Sequence, residues 1–158
     1  MAKPKVLFVC VHNSARSQMA EAYLRQMAGD RLEVASAGLE PAPLNPLVVE
    51  IMMEEGLDLS RKQPQGVFAL YREGQLFDYV VTVCETARES QCPVFPGITK
   101  RLHLPFPDPA LLEGSHEERL AGARAIRDQI KAAVRELAGR LAQDAEAGVA
   151  PGARAHGE

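Results

Sequence analysis

The chain has 158 residues, of which 46% are hydrophobic and 25% are charged, and its formal net charge is −3. Such a chain is expected to form one globular domain that buries roughly 70% of the surface exposed when it is unfolded. The weak negative charge gives no reason to expect nucleic acid or an anionic membrane as a partner. An anion that binds to this protein must therefore be attracted by a local site.

The N-terminal stretch indicates a cytoplasmic protein. Its apolar run, Val6–Val11, is too short for a signal peptide. The sequence contains no run of roughly eighteen or more apolar residues, which would predict a membrane span. Cytoplasmic thiols are normally kept reduced, and three cysteines are an odd number for a disulfide framework. The cysteines therefore require another explanation.

Strands and helices alternate along the first half of the chain. The run Val6–Val9 predicts a buried strand, and Ser17–Ala28 has apolar residues at helical spacing. A second strand is predicted over Leu32–Ala37. A helix is predicted over Pro46–Glu55, with Asn45 as its N-cap and a proline at the first helical position.

The same alternation continues in the second half. A weaker helix is predicted over Val67–Glu73, and strands are predicted over Tyr79–Val83 and Arg101–Leu104. The longest helix is predicted to begin at Ser115, which forms a capping box with Glu118. The apolar stripe of this helix consists of Leu120, Ala123, Ile126, Ile130, Val134, Leu137 and Leu141.

This order of elements predicts an α/β fold. We expect one three-layer domain over residues 1–142, in which a central four-stranded parallel sheet carries helices on both faces. Residues 143–158 are small, polar and without periodicity, so they are expected to form a flexible C-terminal tail. Ligands of such sheets bind beyond the carboxyl ends of the strands. Cys10 and Cys84 each follow a predicted strand, and both thiols should therefore lie at this edge.

The segment "FVCVHNSARS", residues 8–17, joins the first strand to the first helix and separates Cys10 from Arg16 by five residues. A loop from a strand into a helix can direct successive backbone N–H groups at a tetrahedral oxyanion, and the helix N-terminus adds favourable potential. We therefore predict an oxyanion-binding loop. Its substrate-binding residues are Val11, His12, Asn13, Ser14, Ala15, Arg16 and Ser17.

Cys10 is the candidate nucleophile, because a helix N-terminus and a nearby cation both stabilise a thiolate. Arg16 can clamp two anion oxygens with its planar guanidinium. Ser17 can donate a hydrogen bond to the sulfur, and Asn13 suits a backbone position with positive φ. His12 is expected to be an exposed loop residue. The alternative is that Cys10 is a small buried hydrophobe and Arg16 a surface residue.

Asp108 lies between two prolines in "HLPFPDPALL", shortly before the longest helix. An oxygen displaced by the attacking sulfur needs a proton, and a carboxylic acid held over the loop can supply it. Asp108 is therefore the candidate general acid. The alternative is that Asp-Pro only marks a turn.

Cys84 and Cys92 are separated by seven residues. This spacing is too wide for a redox pair with two intervening residues and matches no familiar zinc site. The four histidines are scattered, so no metal site is predicted. The two thiols are either unrelated or form a relay, in which Cys84 attacks an adduct on Cys10 and Cys92 then attacks Cys84. The polar segment "ETARESQ" between them could form a helical turn that rearranges.

Four segments of the chain resemble the thioredoxin-coupled arsenate reductases, which are built on the low-molecular-weight protein tyrosine phosphatase fold. The resemblance extends from Lys5 to Leu141 and excludes the tail. The segments are "CVHNSARSQMAEA" at 10–22, "ASAG" at 35–38, "CETARESQCPVFPG" at 84–97 and "PFPDPA" at 105–110.

This resemblance implies an enzyme that reduces arsenate to arsenite without a bound cofactor. Cys10 attacks arsenate, Asp108 protonates the departing oxygen, and Cys84 displaces arsenite by forming a disulfide with Cys10. Cys92 then converts this bond into a Cys84–Cys92 disulfide, which thioredoxin reduces. Within the loop, the resemblance assigns the holding of the anion to Arg16 and its neighbours.

The chain departs from the family pattern in two respects. Family members often have six residues between the second and third cysteines, whereas this chain has seven. Some members bind potassium near the loop through positions that match Asn13, Glu21 and Ser36. However, Gln63 and Gln65 stand where a hydroxyl and a carboxylate are expected, so we predict no potassium site.

Two alternatives to arsenate reduction are open. A low-molecular-weight phosphatase would use the same loop and acid, but such enzymes typically have tyrosine at the position of Ala110 and proline at the position of Gln18. Neither residue is present here, whereas the additional thiols are. The other alternative is a non-enzymatic redox sensor that binds an oxyanion and forms the Cys84–Cys92 disulfide.

Overall fold

Four parallel strands form the centre of the computed structural model, which describes residues 3–85, 91–95, 97 and 99–146, without the side chains of 145 and 146. The sheet order within this part of the chain is β2-β1-β3-β4, and every neighbouring pair is parallel. The predicted sheet is thus confirmed. The strands are β1 (Lys5–Cys10), β2 (Glu33–Gly38), β3 (Tyr79–Thr82) and β4 (Lys100–His103).

The helices lie on both faces of this sheet, as predicted. Three of them pack on one face and the short α3 on the other. A single 3-10 turn, Pro109–Leu111, follows Asp108. The described helices are α1 (Arg16–Ala28), α2 (Pro46–Met53), α3 (Val67–Arg72) and α4 (His116–Glu146).

The alternation of side chains along β1 determines where the first cysteine lies. Successive residues of a strand point to opposite faces. Val6, Phe8 and Cys10 pack in the cluster shared with α1, α2 and α4, whereas Leu7 and Val9 pack in the cluster with α3. Cys10 therefore ends a strand that is buried from its second residue onward, on the face covered by α1 and at the carboxyl edge of the sheet.

Hydrogen bonds at the N-caps confirm the predicted starts of α2 and α4. The Leu47 backbone N–H donates to Asn45 Oδ1 at 2.9 Å at the start of α2. At the start of α4, the Ser115 N–H donates to Glu118 Oε1 at 2.9 Å, and the Glu118 N–H donates to Ser115 Oγ at 3.1 Å. Such reciprocal bonds satisfy N–H groups that have no partner inside the helix.

The long helix α4 covers the sheet through the predicted stripe. All seven residues of the stripe are buried. The helix continues to Glu146, four residues beyond the predicted domain boundary at 142. The rest of the predicted tail, and residues 86–90 of the predicted turn, lie outside the described residues. None of the described helices is long and apolar enough to cross a membrane.

Candidate active site

The loop between β1 and α1 turns its carbonyl groups outward. The carbonyls of residues 10, 11, 12 and 14 accept hydrogen bonds of 2.7–3.0 Å from backbone N–H groups in the segment 39–45. The Asn13 carbonyl accepts from Gln18 Nε2 at 3.1 Å. Because the N–H and C=O of a peptide unit point in opposite directions, the N–H groups of this loop face inward. The loop therefore forms a concave surface of backbone donors, which suits an anion.

The inward surface closes around the sulfur of Cys10. The backbone N–H of Asn13 donates to Cys10 Sγ at 3.2 Å, and Asn13 adopts the predicted positive φ, 54°. The N-cap of α1, Ala15, supplies no side-chain hydrogen bond, and the first turn of α1 contains no acidic residue. The positive end of the helix dipole is thus directed at the loop without a compensating side chain.

A buried hydrogen bond joins Ser17 to Cys10. Ser17 Oγ lies 2.9 Å from Cys10 Sγ. The two Nδ2 protons of Asn13 are donated to Ser17 Oγ at 2.8 Å and to Ser36 Oγ at 2.9 Å. A thiolate sulfur can only accept, so Ser17 is the donor when Cys10 is a thiolate. All of these side chains are buried, and the hydroxyl is held beside the sulfur within the protein.

Arg16 lies inside the site and is 2% exposed, so its interpretation as a surface residue is wrong. Its Nη1 donates to the Phe106 carbonyl at 3.3 Å and lies 3.8 Å from Glu85 Oε2. Its Nη2 lies 3.5 Å from Asp108 Oδ2. Its buried Nε has no protein partner in the described part of the chain. The guanidinium therefore retains donor capacity beside the loop.

Asp108 forms the predicted turn, and its carboxyl group also faces Arg16. Its Oδ1 accepts a hydrogen bond from the Ala110 N–H at 2.9 Å and caps the 3-10 turn. Its Oδ2 faces Arg16. The turn thus fixes the carboxyl group through one oxygen and leaves the other directed at the loop, where a proton donor would act.

Two of the three reduced thiols lie together. Cys10 and Cys84 are 2% and 1% exposed and belong to the same cluster. Burial raises the pKa of the Cys84 thiol, the nearby Arg16 charge opposes this rise, and the Cys10 charge adds to it. Cys92 is also buried, but it packs in the other cluster with Phe77 and Phe95. The structure thus brings the first two predicted thiols together and separates the third from them.

The side chains of the predicted substrate-binding residues differ in their placement. His12 is half-buried rather than exposed, because its Nδ1–H donates to the Glu40 carbonyl at 2.8 Å. His12 and Ser14 line a cleft of about 730 Å³ together with the segment 42–47, whereas Val11 and Ala15 are buried. Val11 and Ala15 can therefore contact an anion in the loop through their backbone N–H groups.

Sequence reasoning missed the role of Gly38 at the end of β2. A Cβ atom at this position would lie 2.7 Å from the Asn13 nitrogen and 2.7 Å from the His12 carbonyl carbon. Such distances are too short for any side chain, so the loop packs directly against a glycine. The sequence feature that could have indicated this packing is the glycine that ends "ASAG" at 35–38.

The network behind Asn13 was also missed. Ser36 Oγ donates to Glu21 Oε1 at 2.6 Å, and Lys62 Nζ donates to Glu21 Oε2 at 2.6 Å. The Gln65 backbone N–H donates to Asn13 Oδ1 at 2.9 Å. Four of the positions compared with a potassium site, Asn13, Glu21, Ser36 and Gln65, thus share one network, and the Lys62 ammonium pairs with its carboxylate. No group of three metal-ligating side chains occurs among the described residues.

This geometry defines a class of protein in which a cysteine sulfur lies at the carboxyl edge of a parallel sheet, inside a loop of backbone amides that suits an oxyanion. The family model described as low molecular weight phosphotyrosine protein phosphatase matches residues 5–147. The chain belongs to this family.

Its relatives include enzymes with a different named activity. An arsenate reductase of Shouchella clausii is 39% identical over 138 residues, which are 87% of this chain and 97% of the relative. The solved arsenate reductase of Archaeoglobus fulgidus is 34% identical, with a TM-score of 0.67, and the match covers 85% of this chain and 98% of that one. The thioredoxin-dependent arsenate reductase of Corynebacterium glutamicum is 35% identical, with a TM-score of 0.68, and covers 90% of this chain and 63% of its own.

Proposed function

We propose that this chain reduces arsenate to arsenite through a covalent adduct on Cys10 and a three-cysteine relay that thioredoxin recharges. The observation that supports this function most directly is the second reduced thiol, Cys84, buried beside Cys10. A phosphatase needs the anion loop, the nucleophile and the acid, but it has no use for a second sulfur. The names of the relatives point to the same activity.

The first step is attack on the bound anion. The backbone N–H groups of the loop and Arg16 hold arsenate, and the thiolate of Cys10 forms a sulfur–arsenic bond. One arsenic–oxygen bond breaks, and the departing oxygen takes a proton from Asp108 and leaves as water. The Ser17 hydroxyl lies 2.9 Å from the sulfur and can donate a hydrogen bond to the attacking thiolate.

The second step reduces arsenic. Cys84 loses its proton and attacks the sulfur of Cys10, so that a disulfide forms and the sulfur–arsenic bond breaks. The electron pair of the broken bond remains on arsenic, which passes from the pentavalent to the trivalent state and leaves as arsenite. Because burial raises the pKa of Cys84, this deprotonation is the demanding part of the step.

The third step regenerates the nucleophile. Cys92 attacks Cys84, which releases Cys10 as a thiolate and leaves a Cys84–Cys92 disulfide for thioredoxin to reduce. Cys92 packs in the cluster opposite to that of Cys84 in the reduced protein. We therefore propose that the segment carrying Cys92 moves across the sheet edge before this step.

A coupled assay tests this function. Arsenate, thioredoxin, thioredoxin reductase and NADPH are supplied, and NADPH consumption is followed in the wild type, Cys84→Ser and Cys92→Ser. Sustained consumption is expected in the wild type alone. Undiminished steady-state rates in both variants would overturn the relay, and a wild type without arsenate-dependent consumption would overturn the function. If the wild type shows no arsenate-dependent consumption, it is tested for hydrolysis of a phosphate monoester. A hydrolytic activity that is retained in Cys84→Ser would identify a phosphatase.

A further inference from the structure

A buried carboxylate lies one turn beyond the anion loop. The side chain of Glu21, in α1, is 3% exposed. Its Oε1 accepts from Ser36, and its Oε2 contacts Lys62 Nζ at 2.6 Å and Arg25 Nη2 at 2.7 Å. A buried charge is costly unless it is paired. Lys62 and Arg25 are the charged groups that face Glu21 within the described part of the chain.

A continuous chain of hydrogen bonds connects this carboxylate to the sulfur of Cys10. Ser36 donates its only hydroxyl proton to Glu21. It must therefore present a lone pair to Asn13, which donates to it. The second amide proton of Asn13 goes to Ser17, which donates to Cys10 when the sulfur is a thiolate. The chain of bonds is consistent when Glu21 Oε1 accepts from Ser36.

Lys62 is better placed than Arg25 to hold the Glu21 carboxylate in position. The side chain of Lys62 is 32% exposed and that of Arg25 is 53% exposed, so the ion pair with Lys62 is less screened by water. Arg25 also donates to the Val34 carbonyl. The segment that carries Lys62 contacts the same network again, since Gln65 Nε2 donates to the Ser36 carbonyl at 2.9 Å.

We propose that Lys62 is a positioning residue for Cys10: its ammonium fixes the Glu21 carboxylate and thereby orients the hydrogen bonds that end on the nucleophilic sulfur. Lys62 contacts neither the sulfur nor the anion site and acts through four intervening side chains. The charged group of the loop itself is Arg16, which faces Asp108 and Glu85. This inference rests on the proposed function only in taking Cys10 as the nucleophile.

The test measures the reactivity of Cys10 without arsenate or thioredoxin. The reduced full-length protein is alkylated with iodoacetamide at a series of pH values, and peptide mass spectrometry resolves the rate at Cys10 from the rates at Cys84 and Cys92. The variants are Lys62→Met, Lys62→Gln, Lys62→Arg and the double variant Glu21→Gln/Lys62→Met. Lys100→Met, at an exposed edge-strand lysine, is the matched control, and thermal unfolding is recorded for each protein.

At pH 7, Lys62→Met and Lys62→Gln are expected to alkylate Cys10 about 3- to 10-fold more slowly than the wild type, with the pH profile displaced upward. Lys62→Arg restores the wild-type profile, because it restores the charge. The double variant also recovers most of the rate, because it removes the buried carboxylate that lost its partner. Lys100→Met behaves as the wild type.

A purely structural role would lower the melting temperature of the Lys62 variants and leave the Cys10 profile unchanged, and this outcome would overturn the inference. A double variant as slow as Lys62→Met would overturn it as well. If Lys62→Met does not fold, Lys62→Gln decides the question by the same comparison. Because the readout needs no arsenate, failure of this inference and failure of the proposed function are distinguishable.

Discussion

The hydroxyl of Ser17 lies 2.9 Å from the sulfur of Cys10, and its oxygen accepts a hydrogen bond from Asn13. Ser17 is in the first turn of α1 and Cys10 is the last residue of β1. The strand-to-helix connection thus places a hydroxyl beside the sulfur that we propose as the nucleophile. The same connection carries the inward N–H groups of the loop, so in the proposed mechanism activation of the sulfur and binding of the anion share one structure.

Ser17→Ala removes this donor and should slow the reaction of Cys10. Hydrogen bonds to charged groups contribute about 1.5–3 kcal/mol, and 1.4 kcal/mol corresponds to a factor of ten. We therefore expect alkylation of Cys10 at pH 7 to fall about 10-fold or more in this variant. Ser60→Ala, at an exposed serine, is the control and should alkylate at the wild-type rate. An equal rate in Ser17→Ala would show that the hydroxyl does not stabilise the thiolate.

Gly38→Ala should displace the anion loop, because the added Cβ would lie 2.7 Å from backbone atoms of Asn13 and His12. Overpacking of this kind costs about 1–3 kcal/mol of stability. The free energy of unfolding, measured with urea, should decrease by this amount, and arsenate turnover should fall with it.

Gly139→Ala provides the comparison for that experiment. Gly139 is an exposed residue of α4, and nothing lies within 4 Å of its added Cβ. Because alanine is favoured over glycine in a helix by about 0.8–1.0 kcal/mol, this variant should be more stable than the wild type and fully active. Wild-type turnover in Gly38→Ala would contradict the close packing of the loop on β2.

Glu85→Gln should accelerate the step carried out by Cys84. Burial is the largest cause of the raised pKa of Cys84, and the negative charges of Cys10 and Glu85 add to it. A thiol with a raised pKa is protonated at neutral pH, so the rate of disulfide formation should rise as the pH increases. Removing the Glu85 charge lowers the pKa of Cys84, and it also frees Arg16 from a carboxylate 3.8 Å away.

The measurement for this prediction is single-turnover formation of the Cys10–Cys84 disulfide across the neutral and alkaline range. We expect the profile of Glu85→Gln to lie at lower pH than that of the wild type, with a rate at pH 7 about 2- to 5-fold higher. A slower variant would mean that Glu85 accepts the proton of Cys84 instead of opposing its loss.

Glu54 should make stability depend on pH in the acid range. Hydrogen bonds from Arg124, and then from Arg127, lower the pKa of Glu54 to about 2. A carboxyl group whose pKa is lower in the folded than in the unfolded state stabilises the fold above the unfolded pKa, which is about 4.3. This contribution is lost as the pH falls from about 4 to about 2.

Glu54→Gln should therefore melt below the wild type at neutral pH, and the two melting temperatures should converge near pH 2. High salt should reduce the difference, because the ion pair is exposed to solvent. Glu113→Gln, at an exposed carboxylate, should follow the wild type throughout. A constant difference between Glu54→Gln and the wild type from pH 7 to pH 2 would exclude the charge of Glu54 as its cause.

Features that depend on neighbouring residues in the sequence were predictable. The stripe of α4 was correct in all seven positions, because apolar spacing determines which face of a helix is buried. The capping box was predictable for the same reason, because Ser115 and Glu118 are only three residues apart in the sequence. The positive φ of Asn13 followed from the tight turn between a strand and a helix.

Features that depend on distant segments were not predictable in the same way. Glu21 and Lys62 are 41 residues apart, and each taken alone is expected at the surface. Cys92 follows a polar segment, yet it packs with Phe77 and Phe95 because the fold brings those rings to it. Pairing and burial of this kind are set by the tertiary structure, which local patterns do not specify.

Trapping of the thiols after one equivalent of arsenate tests the central claim most directly. The reduced protein is mixed with arsenate, quenched with acid and alkylated, and the cysteine peptides are identified by mass spectrometry at successive times. We expect a Cys10–Cys84 disulfide first and a Cys84–Cys92 disulfide later, with Cys10 again a thiol and one equivalent of arsenite released. Three unmodified thiols and unconsumed arsenate would contradict the account.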